Sequence, residues 1–234
     1  MQNIPILDSR LSLAASFVRE GSVVADIGTD HAYIPIYLLL TNKSKSTIAA
    51  DINEGPLERA RINAARYGIK EGITFCLADG LSTLPLEEMG VTDIVICGMG
   101  GELIASIIDA SEYAKKSGVR FILQPMSHAE KLRKYLSENG FEIVDGGLCT
   151  SQDKNYQCIV CTYTGVPYTL TAAELELGRE NINGHRSPLF FEMLERLIKK
   201  TERAIEGRRL GGLDSGELLL LLSQLNEIKK DKMI

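Results

Sequence analysis

Apolar positions along the first two thirds of the chain alternate between two rhythms. Short unbroken runs at Val23 to Ile27, Thr47 to Asp51, Ile73 to Leu77, Asp93 to Cys97 and Val119 to Leu123 predict buried strands. Between them, apolar residues recur at helical spacing. Leu11, Ala14, Ala15 and Val18 share one face of a first helix that Asp8 or Ser9 can cap. Further helices are predicted over Ala32 to Leu40, Pro56 to Tyr67, the stretch after Gly101 to about Ala110, and Glu130 to Asn139. A loop and a short helix are expected after Leu77. Phe141 to Leu148 and Tyr156 to Tyr163 follow with no helix between them, and so predict a closing antiparallel pair. Strands alternating with helices imply a parallel sheet covered on both faces, and the terminal pair makes it mixed. The expected fold is α/β, a Rossmann-like sheet with a closing antiparallel hairpin.

Gly165-Val166-Pro167 breaks this pattern, and no strand signal follows it. Leu170 to Glu180 reads as helical. Ser187-Pro188 is a strong helix start, with proline at the first helical position. The stripe from Leu189 through Ile205 ends at Arg208-Arg209-Leu210-Gly211-Gly212. Asp214-Ser215-Gly216-Glu217 resembles a capping box opening a last helix to about Lys230. Two apolar-striped helices joined by Gly-Gly predict a coiled-coil-like helical hairpin. The expected division is 1–165 for an α/β domain and 166–234 for a small helical domain.

The chemistry concentrates at the strand ends. Three successive strands each deliver an acid at the C-terminal end: Asp26 before Gly28, Asp51, and Asp79 before Gly80. In an open parallel sheet those ends border one ligand crevice. The loop Asp26-Ile27-Gly28-Thr29-Asp30-His31 keeps only the first glycine of a dinucleotide fingerprint; Asp30 and Tyr33 stand at the second and third glycine positions. A pyrophosphate would be repelled by Asp30, whereas a ligand with a cationic or amino-acid head would be attracted. Asp30 and His31 also sit where a helix N-cap belongs, so both roles are open. Asp51 suits a ribose hydroxyl, and Asp79 suits either an adenine amino group or an Asp-Gly turn. Gly98-Met99-Gly100-Gly101 follows the fourth strand. Three glycines let backbone lie flat against a planar ring, whereas a tight strand-to-helix turn needs one. No Asn-Pro-Pro-Tyr or Asp-Pro-Pro-Tyr stands there, which argues against methylation of an exocyclic amine.

Composition narrows the partners. The 234 residues carry 26 Lys and Arg against 31 Asp and Glu, a net charge of −5. That balance lacks the basic footprint of many nucleic-acid binders, although a local patch can hide within it. No apolar stretch approaches the ~20 residues of a membrane span, and the start Met-Gln-Asn-Ile-Pro lacks a signal-peptide pattern, so a cytoplasmic protein is expected. The five cysteines read as free thiols. Cys158-Ile-Val-Cys161 has redox or zinc spacing, but on a strand positions i and i+3 face opposite sides. His128 and His185 read as surface or capping residues, and no metal site is expected.

Together these residues resemble the bacterial tRNA (adenine22-N1)-methyltransferase family. The resemblance rests on Leu7-Asp8-Ser9-Arg10-Leu11, Val24 through Ala32, Ala50-Asp51, Asp79-Gly80, Ile96 through Gly101, and Gln124-Pro125, and extends architecturally to the helical hairpin. It implies a class I S-adenosylmethionine enzyme that methylates N1 of adenine 22 in the tRNA D arm. The implied cofactor-binding residues are Asp26, Gly28, Thr29, Asp30, His31, Asp51, Asp79 and Gly98. The implied catalytic neighbourhood is Asp30, Gly98 and Met99, with Met99 or Tyr33 packing on a swung-out base. Arg10, Lys199, Lys200, Arg203, Arg208 and Arg209 are the candidates for holding tRNA phosphates, and a monomer is expected. The residues by themselves leave open a methyltransferase for a small molecule or protein, or a non-catalytic adenosyl-ligand sensor.

Overall fold

A computed structural model describes residues 4–184 and 187–232. His185 lies outside the described residues. The chain runs α1 (Ser9–Phe17), β1 (Ser22–Ile27), α2 (Tyr33–Leu40), β2 (Ser44–Asp51), α3 (Glu54–Arg66), β3 (Ile73–Leu77), β4 (Asp93–Gly100), α4 (Gly101–Asp109), β5 (Arg120–Ser127), α5 (Ala129–Glu138), β6 (Phe141–Ser151) and β7 (Lys154–Tyr163). Four helices follow: α6 (Ala172–Leu177), α7 (Arg179–Asn183), α8 (Pro188–Leu210) and α9 (Gly216–Lys232). The strands form one sheet in the order β3-β2-β1-β4-β5-β7-β6. Neighbours from β3 to β5 pair in parallel, and β7 runs antiparallel to both β5 and β6. Strand order reverses between β1 and β4, which opens a ligand crevice at their C-terminal ends.

Alternation along the central strands builds two cores. Ala25, Ile27, Ile94, Ile96 and Phe121 face one side of the sheet. Val24, Val95, Ile122 and Val160 face the other, where α1 and α2 contribute Ala14, Ala15, Ile34 and Leu38. Cys158 falls in the second core and Cys161 in the first. The C-x-x-C pair therefore straddles the sheet, and burial pushes both thiols above their ordinary pKa. Helix α1 starts as predicted, with the Asp8 carboxylate accepting from the Arg10 and Leu11 amides at 3.0 and 2.9 Å.

Several local expectations are corrected. Turns rather than a short helix occupy the connection from β3 to β4. Gly98 to Gly100 is the irregular end of β4, still paired with β5 across register shifts, rather than a loop. The predicted helix over Leu170 to Glu180 is two short helices broken at Gly178, where φ is +86°. A Cβ at Gly178 would lie 2.1 Å from Glu180 Oε1 and 2.5 Å from an Arg133 guanidinium nitrogen. The chain breaks there because it passes over a buried Arg133–Glu180 ion pair of 2.7 Å.

The two long helices form the predicted hairpin. Ser187 caps α8 by accepting from the Phe190 amide at 3.2 Å, with Pro188 next. At the turn the Arg208 guanidinium donates to the Asp214 carbonyl, and the Asp214 carboxylate accepts from the Gly216 amide. A reciprocal capping box is present at Thr171 and Glu174. Phe190, Leu194 and Ile198 of α8 pack with Leu221 and Leu225 of α9, and Leu148 of β6 packs against the same cluster.

Candidate active site

Sequence dictates the bend that forms the site. Strand β1 is apolar until Asp26, and the chain then leaves the sheet at Gly28, where φ is +73°. The Gly28 and Thr29 amides both donate to the Ala50 carbonyl of β2, at 2.8 and 2.9 Å. Those two amides are thus engaged by the sheet, and so do not form the open cradle a pyrophosphate needs. His31 and Ala32 continue in the left-handed region at φ +65° and +51°. A hydrogen bond from Asn63 Nδ2 to the His31 carbonyl, 2.7 Å, holds this strained segment. Helix α2 opens at Ala32 without a side-chain cap. The capping role open to Asp30 and His31 is therefore not taken. Asp30 pairs instead with Arg59 of α3 at 3.0 Å, and the His31 ring stacks on Tyr33 at 5.6 Å between centroids.

A crevice of about 350 Å³ opens at this bend. Asp26, Gly28, Thr29, Asp30, His31 and Gly98 all line it, and Asp8, Arg10 and Cys97 complete its wall. Asp26 is 7% exposed and accepts a 2.6 Å hydrogen bond from Thr29 Oγ1. Burial drives its pKa up to about 6, with a further push from the Asp51 charge, against the opposing Thr29 bond. Such a carboxylate is short of positive partners and favours a cationic or hydrogen-bond-donating ligand. Asp8 behaves oppposite to Asp26. Burial raises its pKa, but bonds from the Leu11 amide and the Arg10 guanidinium outweigh that and hold it below the ordinary value. The Cys97 thiol is pushed well up by burial and by Cys158 and Asp26.

Asp51 and Asp79 end the two neighbouring strands rather than lining this cavity. The Asp51 carboxylate accepts from the Asn53 amide at 2.7 Å, and the Ala78 amide donates to the Asp51 carbonyl at 2.9 Å, extending the β2–β3 pairing. Met99 is half-buried and packs on the core; a Cβ at Gly28 would meet its Cε at 1.9 Å. The glycines after Cys97 have separate reasons. Gly98 has φ +82° with open space where a Cβ would stand, so it leaves room for a ligand. Gly101 is required by packing, because its Cβ would lie 2.2 Å from the His128 carbonyl oxygen.

Sequence reasoning missed three participants. Asp8 lines the crevice because α1 lies along one face of the sheet with its N-terminus at the C-terminal strand ends, a non-local arrangement. Arg59 reaches Asp30 from the next helix. Gln124, fully buried, accepts from the Gly98 amide at 3.3 Å and donates to the Pro125 carbonyl at 3.0 Å. A polar residue closing the apolar run of β5 was the available signal. The basic candidates divide. Arg10 pairs with Asp8 at 2.6 Å and lies over the Tyr156 ring at 5.4 Å. Lys200 borders a groove beside Tyr156, whereas Lys199 and Arg203 are exposed elsewhere on α8. Arg208 and Arg209 sit at the hairpin turn, with Arg209 bonded to Glu206. No His, Cys, Asp and Glu cluster suited to a metal occurs among the described residues, and no described helix is long and apolar enough to cross a membrane.

A family profile described as a methyltransferase domain matches residues 7–159. The tRNA (adenine(22)-N(1))-methyltransferase of Bacillus subtilis is 35% identical over 154 residues, 66% of this chain and 64% of that protein. The match thus spans slightly less than two thirds of that relative. A Streptococcus pneumoniae protein, described as a candidate tRNA (m1A22) methyltransferase and solved with S-adenosyl-L-methionine, superimposes with TM-score 0.81 at 34% identity. That alignment covers 95% of this chain and 99% of the other. The solved B. subtilis m1A22 tRNA methyltransferase also gives TM-score 0.81, at 26% identity over 97% of this chain and 99% of its own.

Proposed function

The chain belongs to the bacterial tRNA (adenine22-N1)-methyltransferase family, and from that premise we propose that it methylates N1 of adenine 22 in the D arm of tRNA. The observation that carries this reading is the crevice at the β1/β4 switch point. There a buried, proton-hungry Asp26 meets bare glycine backbone at Gly28 and Gly98, while the loop amides that could bind phosphate are already used. Such a wall fits S-adenosylmethionine, which has a cationic sulfur, an amino group and ribose hydroxyls but no phosphate. In this reading Asp26, Gly28, Thr29, His31 and Gly98 hold its amino-acid end, Asp51 accepts from the ribose, and Asp79 accepts from the adenine amino group. S-adenosylmethionine supplies an electrophilic methyl group, which the N1 lone pair takes in line with the departing sulfur.

The chain's own residues supply position and electrostatics. N1 is mostly unprotonated at neutral pH, so no strong base is needed, and rate comes from alignment and exclusion of water. Because N1 lies on the pairing edge, the adenine must be swung out to reach the crevice. Gly98 leaves space for the ring, and Tyr33 stands at the crevice wall to pack against it. Methylation makes the ring cationic, and Asp30 is the carboxylate placed to stabilise that charge. The base must compete with Arg59 for it. Residues 1–165 then form the catalytic domain, and residues 166–234 form a helical domain that meets the tRNA body. A tRNA substrate places the reaction in the cytoplasm. The test is nucleoside mass spectrometry of unmodified tRNA after incubation with enzyme and S-adenosylmethionine. 1-Methyladenosine is expected; its absence, with cofactor binding intact, would refute the reading.

A further inference from the structure

A second groove of about 490 Å³ lies beside the crevice, between the β6–β7 hairpin and α8. Its apolar and aromatic lining is Met126, Tyr156, Met193 and Leu197. Arg10 stands between the two: it lines the crevice, lies over the Tyr156 ring at 5.4 Å, and approaches Met126 Sδ at 3.0 Å. The groove therefore adjoins the crevice across the Arg10 side chain.

Its charge inverts that of the chain. Lys154, Arg196 and Lys200 line it against a single acid, Asp153, whereas acids outnumber bases over the whole sequence. Each cation sits on a rigid element. Arg196 and Lys200 are four residues apart on α8, and so lie on one helix face. Lys154 opens β7 directly after the two-residue turn Gln152-Asp153, whose φ values of +49° and +59° are those of a tight hairpin turn. Arg196 is held by Glu192 at 2.6 Å but remains 60% exposed at its side chain. A cationic groove with an aromatic ring in its lining, next to a crevice that would take the base, matches a single-stranded nucleic-acid segment.

We propose that this groove holds the phosphodiester segment that flanks the swung-out adenine, with Arg196, Lys200 and Lys154 on the phosphates. The inference rests on the proposed tRNA reaction. It shifts the principal RNA contact from the hairpin turn to the middle of α8. Arg208 lies about 12 Å further along the helix than Lys200, at ~1.5 Å per residue, and it is engaged with the Asp214 carbonyl.

The experiment compares three proteins: the wild type, the Arg196→Gln/Lys200→Gln variant, and a charge-matched Lys70→Gln/Lys115→Gln control. The control lysines precede β3 and β5, at the N-terminal end of the parallel strands, away from the crevice at their C-terminal ends. Unmodified tRNA binding is measured by fluorescence anisotropy over a salt series, with steady-state methylation and S-adenosylmethionine calorimetry alongside. The groove variant should lose about 1.4 from the slope of log affinity against log salt, the single-strand value for two phosphate contacts. Its KM for tRNA should rise roughly tenfold or more at moderate salt, with cofactor affinity retained. The control should keep the wild-type slope. If the wild type methylates tRNA and the groove variant matches the control in slope and KM, the groove proposal is overturned while the proposed function stands. A wild type that neither binds nor methylates tRNA overturns both.

Discussion

The buried pair Arg133–Glu180 should decide whether the helical segment stays seated on the sheet. Arg133, on α5, is fully buried, and the Glu180 side chain is 6% exposed. The guanidinium donates to Glu180 Oε1 at 2.7 Å, Gln157 Oε1 at 2.7 Å and the Leu175 carbonyl at 3.2 Å. One side chain thus ties α5 to β7, α6 and α7. Glu180→Gln keeps the shape but removes the only carboxylate bonded to this buried cation among the described residues. Leaving such a charge unpaired costs about 3–5 kcal/mol, a large part of a typical stability of about 5–15 kcal/mol. With a urea slope near the upper end of the usual range, about 3 kcal/mol per molar, the midpoint should fall by about 1 to 1.7 M. Replacing both partners, Arg133→Met with Glu180→Leu, removes the charge with its counter-ion and should recover most of that loss. Urea titration followed by far-UV circular dichroism reads both variants. A Glu180→Gln midpoint within 0.3 M of the wild type, on the order of 1 kcal/mol, would show that the pair does not hold the helical segment in place. A double variant less stable than the single one would contradict the recovery expected from removing both charges.

Asp26 should make cofactor binding pH-dependent. Its pKa of about 6 means that calorimetric affinity for S-adenosylmethionine falls as pH drops through 6, and Asp26→Asn should flatten that profile. The sign for stability is the reverse. The raised pKa means that the charged form burdens the apo fold above pH 6, a burden lost as pH falls toward the unfolded value. Asp26→Asn should therefore raise the apo Tm at pH 7.5 and gain progressively less as the pH falls below 6; an equal gain at pH 4 would contradict this. Gly28→Ala should lower cofactor affinity at least tenfold, because φ is +73° and Met99 Cε occupies the Cβ position. Adding Met99→Ala relieves the clash but not the backbone cost of about 1–2 kcal/mol, so full rescue by the double variant would be the wrong result. Gln124→Leu should orphan the Gly98 amide at a cost of about 1–3 kcal/mol, seen as reduced kcat/KM. An unchanged kcat/KM would show that this bond does not position the site.

The strand-end acids and the bend at Gly28 were legible because a strand's register is local: an apolar run stops, an acid and a glycine follow, and topology makes strand ends converge. The opposed burial of Cys158 and Cys161 followed from strand period alone, and the α8 start from Ser187-Pro188. What escaped depends on contacts between distant segments. The break at Gly178 is imposed by Arg133, far back on α5, and no helical periodicity around Leu170 to Glu180 could announce it. Gly101 looked like part of a ligand loop until the His128 carbonyl was found against it. Asp30 and His31 looked like caps because position is local, but Arg59 and the left-handed turn direct them elsewhere. Lys154 and Arg196 gave no signal, since a groove between a hairpin and a helix exists only after both have docked.

The central claim is methyl transfer to one nitrogen of one base. The most direct test incubates the enzyme and radiolabelled S-adenosylmethionine with unmodified tRNA, and in parallel with the same tRNA carrying guanine in place of adenine 22. Label is expected in the first tRNA and none in the second. Equal label in both would contradict the assigned site, and no label in either, with cofactor binding confirmed, would contradict the assigned substrate.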